Sequence, residues 1–126
     1  GRLISDATGE NTDGSINFLP KMGKDTLIAG YKKILSTIYS QKEYYKRIDT
    51  FIKNYKPVLK NKLEGDYVKA FFMSAWKIGI LSKARHRYWK LITKTILTKR
   101  RAVPIAIELA IFGLHFEKIT KKIVSA

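Results

Sequence analysis

The chain has 126 residues, 25 Lys and Arg against 10 Asp and Glu, a net charge of +15, and 45% hydrophobic residues. That length suits one domain, and its apolar content suffices for a core without disulfides or metal. The absence of cysteine excludes thiolate catalysis, cysteine-ligated zinc and iron–sulfur clusters within these residues, and two histidines argue against an all-histidine metal site.

Residues 1–23 are crowded with Gly, Asn, Asp and Thr, which tolerate turns that other residues resist. This segment is expected to be irregular, with at most a short extended piece at 15–19, and Phe18, Leu19 and Met22 are expected to dock it on the helices. From Asp25 onward Leu27, Ile28, Tyr31, Ile34, Leu35, Ile38 and Tyr39 step by three and four residues, which puts them on one face of a first helix. Ser40 stands three residues before Glu43, the spacing in which each side chain satisfies the other's free backbone N–H, so a second helix starts there. Its inner face is Tyr44, Tyr45, Ile48, Phe51, Ile52 and Tyr55, and Pro57 ends it near Tyr55.

Residues 57–65 read as a basic linker. Asp66 caps a third helix reaching about Leu81, with Val68, Phe71, Phe72, Ala75, Trp76 and Ile80 available for burial. Gly79 either ends this helix early or allows close packing. Ser82 caps a fourth helix that turns Ala84, Tyr88, Leu91, Ile92, Thr95 and Ile96 inward.

The closing helix is predicted over 103–124, with Pro104 in its first turn, where the missing N–H costs nothing. Between Ala102 and Phe116 only Glu108 and His115 can carry charge, so the run AVPIAIELAIFGLHF reads as buried on nearly all sides. It is too short to cross a bilayer, which takes about 20 apolar residues. A carboxylate buried at Glu108 would need a partner. Beyond Gly113 the helix turns amphipathic, with Phe116, Ile119 and Ile123 on one side and Lys118, Lys121 and Lys122 outward. The expected fold class is all-α, a single compact bundle of about five helices over 24–126 behind an irregular connecting segment at 1–23.

Charge is unevenly placed, +4 in residues 1–66 and +11 in residues 67–126. A single-sign field of this size attracts an anionic surface. Lys83, Arg87, Lys90, Lys94, Lys99, Arg100 and Arg101 form the candidate face for such a partner, which is an anionic membrane surface or lipid, an acidic protein domain, or nucleic acid. Nucleic acid is the weakest of these, because no familiar recognition signature accompanies the basic and aromatic residues of 85–90. His86 and His115 have no Ser, Cys or paired-carboxylate motif beside them, so no catalytic, cofactor-binding or metal residue is assigned. Neither a leader peptide nor a membrane span is visible, and a cytoplasmic location is expected, peripheral to a membrane in the lipid-binding alternative.

Three segments in order, GENTDGSINFLPKM at 9–22, GYKKILSTIYSQKEYYKRI at 30–48 and IELAIFGLHFEKI at 107–119, resemble the C-terminal domain of cobalamin-binding radical SAM proteins. The first is similar to that family's motif just past the catalytic barrel, the second to its first helix pair and the third to its closing helix. The resemblance implies a non-catalytic accessory domain, a C-terminal fragment of a longer chain, packed on the barrel and helping to shape substrate access. It also implies that the iron–sulfur cluster, S-adenosylmethionine and cobalamin belong to the missing N-terminal part. On this reading Asn11, Thr12, Asp13, Asn17, Phe18, Pro20, Lys21 and Met22 form the connection to the barrel.

Overall fold

The computed structural model describes residues 3–4, 16–56 and 65–125. Among them the chain forms five α-helices: α1 (Lys24–Ile38), α2 (Gln41–Asn54), α3 (Gly65–Lys77), α4 (Arg85–Thr98) and α5 (Val103–Ser125), with a 3-10 turn at Arg100–Ala102 before α5. The expected all-α class holds. Backbone contacts group these elements into two compact units, Gly1–Ser40 with Phe116–Ala126 and Gln41–His115.

In the first unit α1 begins after Gly23, whose φ of 86° lies in the left-handed region that glycine occupies without strain. The Tyr39 ring stacks on Phe116 at 4.9 Å, and the Lys32 ammonium reaches the Val124 carbonyl at 3.5 Å. These two contacts run α1 antiparallel to the end of α5. Ile123 and Thr120 are buried there, yet α1 itself contributes no buried residue.

The second unit holds the main core. Tyr45, Ile48 and Ile52 from α2 meet Ala84, Tyr88, Leu91 and Ile92 around α4, together with Ile78 and Ala102, Ala106, Ile107 and Ala110. The predicted inward set of the fourth helix is buried except Ile96, which is 43% exposed. Tyr44 ties α2 to α5 by donating its hydroxyl hydrogen to the Leu109 carbonyl at 2.9 Å.

One polar pair sits inside this core. Ser74 donates its only hydroxyl hydrogen to the Phe71 carbonyl (2.9 Å), so in its 2.8 Å contact with Tyr88 the phenol is the donor. Burial pushes the Tyr88 phenol above its ordinary range. The folded state favours the protonated phenol, so stability is fully present below about pH 10 and falls as Tyr88 is forced to ionise. Ser74→Ala should cost about 2 kcal/mol by leaving a buried hydroxyl unpaired, and Tyr88→Phe only about 1 kcal/mol. Urea denaturation should give that order, with the double variant above Ser74→Ala alone; a neutral Ser74→Ala would refute the buried pair.

Two expectations are corrected. The apolar run opening α5 is one-sided rather than buried all round: Ala106, Ile107 and Ala110 are buried, whereas Glu108, Ile111 and Phe112 are exposed. Helices packed from one side leave the other arc of α5 to solvent, so Glu108 needs no buried partner. The third helix ends at Lys77 and not near Leu81, and Val68, Phe72, Trp76 and Ile80 lie exposed instead of in the core. Gly79, just beyond this end, allows close packing. A Cβ there would lie 2.5 Å from the Ala75 carbonyl oxygen and 2.9 Å from Trp89 Nε1, which donates to the Gly79 carbonyl at 3.0 Å.

Candidate functional site

The motif loop is described from Asn17 on; Asn11, Thr12 and Asp13 lie outside the described residues. Leu3 pairs with Phe18 as an isolated antiparallel bridge, and the Ile4 N–H donates to the Asn17 carbonyl at 2.7 Å. Pro20 accepts from the Gly23 N–H at 3.4 Å, the turn that leads into α1. Phe18, Leu19 and Met22 are 43%, 56% and 62% exposed, so they do not bury themselves on the helices, and Lys21 is exposed beside them. The loop offers an apolar rim.

The seven basic residues of the second candidate face divide by role. Lys83, Arg87, Lys90, Arg100 and Arg101 are exposed. Lys94 instead pairs with Asp49 of α2 at 2.6 and 2.9 Å, and Lys53 approaches the same carboxylate at 3.6 Å. The Lys99 ammonium turns onto the end of α2, where it donates to the carbonyls of Ile52 (3.1 Å), Tyr55 (3.3 Å) and Lys53. The last carbonyls of a helix have no partner within the helix and carry partial negative charge, so a lysine there is a C-terminal cap. Free cation density therefore sits at the start of α4 and on the 3-10 turn.

The hydrogen bond from Lys94, with its charge and that of Lys53, holds the Asp49 carboxyl below the usual carboxylate range against the opposing effect of partial burial. A depressed folded pKa gives stability that is present above about pH 4 and is lost as pH falls through the folded value. Because both partners are partly exposed, the contribution is well under 1 kcal/mol. Lys94→Met should move the Asp49 titration upward when followed by carboxylate NMR, with little change in Tm. An unmoved titration would mean the pair does not form in solution.

Two further surface features were not singled out from sequence. An open groove runs along α2 between Lys46, Arg47, Phe51, Tyr55 and Lys56, where the Phe51 and Tyr55 rings pair at 5.4 Å and the Arg47 guanidinium lies 5.4 Å over Tyr44. The outer arc of α3 carries Val68, Phe72, Met73 and Trp76, all exposed. His86 and His115 are exposed. No group of three or more His, Cys, Asp or Glu able to hold a metal occurs among the described residues, and no helix among them is long and apolar enough to cross a membrane. The described site elements therefore offer apolar contact and positive charge.

Comparison with protein families gives a match over residues 1–126, the whole chain, to a domain of unknown function, DUF4070. The chain belongs to this family. Its loop, groove and basic face are thus parts of a DUF4070 domain. Neither a curated protein nor a solved structure matches the sequence.

Proposed function

We propose that this chain is a non-catalytic accessory domain of a cobalamin-binding radical SAM enzyme, packing on the catalytic barrel through its first unit and helping to shape substrate access. The observation that carries the reading is the open face of α1. This 15-residue helix has a clear apolar stripe and no buried residue. Tyr31, Ile34 and Ile38 are 39%, 60% and 38% exposed, and the motif loop adds Phe18, Leu19 and Met22. An uncovered apolar surface of this kind marks an interaction site. The family match supports the context, since DUF4070 domains are common in B12-binding radical SAM proteins. With no cysteine in this chain, the cluster and its S-adenosylmethionine are assigned to the N-terminal part together with cobalamin.

The test uses the full-length protein. Tyr31→Glu with Ile34→Glu should detach the domain, raising the radius of gyration in solution scattering and speeding proteolysis at the domain boundary, with iron content unchanged. An unchanged radius and cleavage rate would sink the packing proposal, and a full-length protein without iron–sulfur absorbance would sink the radical SAM context.

A further inference from the structure

The arc of α3 that faces away from the core is apolar where a solvent-facing arc is ordinarily polar. Phe72 and Trp76 are 67% and 61% exposed, Val68 and Met73 are 49% and 48%, and Ile80 and Leu81 continue the exposed set at 52% and 68%. At the helical period Phe72 and Trp76 sit opposite Ser74 and Ile78, which are 2% and 1% exposed. The inward side is already filled, so no rotation of the helix hides the aromatic arc. Lys69 lies within this arc, Lys77 lies at its edge on the side of the exposed first-turn Asp66, Lys83 follows shortly after Leu81, and no acid occurs from residue 67 to residue 107.

We propose that this face of α3 docks on the surface of an anionic lipid bilayer, seating Phe72 and Trp76 at the boundary between headgroups and acyl chains and Lys69 and Lys77 on the headgroups. Trp and Phe beside outward lysines is the composition of helices that lie in the interface plane. The lysine stems let their charges reach the headgroup layer while the rings go deeper. A 13-residue helix lies along the surface rather than across it. Charge selects the occupant: a second copy would bring the same positive face against this one, whereas an anionic leaflet complements it. Shape agrees, because a single helical ridge is convex and a bilayer yields to it, while a protein would need a fitted groove. The inference uses α3 alone and does not depend on the open face of α1.

The test is co-sedimentation of the full-length protein with phosphatidylcholine vesicles and with mixed phosphatidylcholine–phosphatidylserine vesicles. The protein should pellet with the mixed vesicles and remain in solution with the neutral ones. Phe72→Ser with Trp76→Ser should weaken the partition by more than about tenfold, since two large apolar side chains lose their seat. Lys69→Glu with Lys77→Glu should weaken it at least about tenfold, because each basic residue near an anionic surface is worth about fivefold. Circular dichroism should be unchanged, as all four side chains are exposed. If the serine variant misfolds, the lysine variant decides. Hydrogen exchange over 68–77 should slow when mixed vesicles are added. Wild-type pelleting by a folded variant would overturn the proposal, as would equal binding to neutral vesicles. Shielding of the Trp76 indole from a water-soluble fluorescence quencher before any lipid is added would assign the face to a protein surface and overturn it too.

Discussion

Ala110→Asp is expected to unfold the second unit or bring it to the edge of unfolding, at a cost of about 4 kcal/mol or more. Ala110 is fully buried between α5 and the core it shares with Tyr45, Ile48 and Tyr88. A carboxylate placed there has no water and no partner, and the penalty for an uncompensated buried charge reaches several kcal/mol against a total stability of roughly 5–15 kcal/mol. The neighbouring Ile111→Asp provides the contrast. Ile111 is 38% exposed on the outer arc of α5, so the same new charge keeps its hydration and should cost about 1 kcal/mol. Thermal denaturation of the two variants measures this difference directly. Equal losses would mean that α5 is enclosed on both sides and that the open arc is wrong.

Gly79→Ala should be the second most damaging change, at about 3 kcal/mol. The added methyl would press on the Ala75 carbonyl oxygen at 2.5 Å and the Trp89 indole at 2.9 Å. A backbone oxygen cannot step aside as a flexible side chain does, and the indole is held by its bond to the Gly79 carbonyl. Trp89→Leu should relieve only the second contact. The double variant should therefore be less destabilised than the sum of the singles, with the difference measuring their coupling. A Gly79→Ala protein with the wild-type urea midpoint would show that the chain after α3 follows another path.

How far the sequence reaches depends on how polar the far side of each helix is. Around α4 the outward positions Lys83, Arg87, Lys90 and Lys94 leave one side for the core, and Ala84, Tyr88, Leu91, Ile92 and Thr95 fill it, while Trp89 and Ile96 stay exposed. On α3 the pattern supports two answers. Val68, Phe72 and Trp76 form one row with helical spacing, and Tyr67, Phe71, Ser74 and Ile78 form another. Size and aromatic character drew Val68, Phe72 and Trp76 into the expected core along with Phe71, yet the fold turns the second row inward, burying Ser74 and Ile78 and half-burying Tyr67 and Phe71, with Ser74 inside because Tyr88 gives it a partner. Lys69, lying in the first row, was the available sign that this row faces out. The open arc of α5 escaped for a related reason: a run apolar all round says nothing about which sides other elements will cover.

The candidate faces were legible as charge and motif but not as contacts. That Lys83, Arg87, Lys90 and Lys94 share a side follows from spacing. That Lys94 is occupied by Asp49 and Lys99 by the end of α2 does not, because those partners lie 44 to 47 residues away in the chain and meet only through the packing of α2 on α4.

The Lys99 cap also gives this lysine-rich chain a built-in chemical reporter. An amine bound to backbone carbonyls is a poor nucleophile until those carbonyls let go, so an acylating reagent should modify exposed lysines such as Lys83 and Lys90 long before Lys99. Its labelling rate then tracks how often the last turn of α2 frays, a local opening that costs less than global unfolding. A single mass-spectrometric time course would follow the integrity of that junction in any variant, without an added probe.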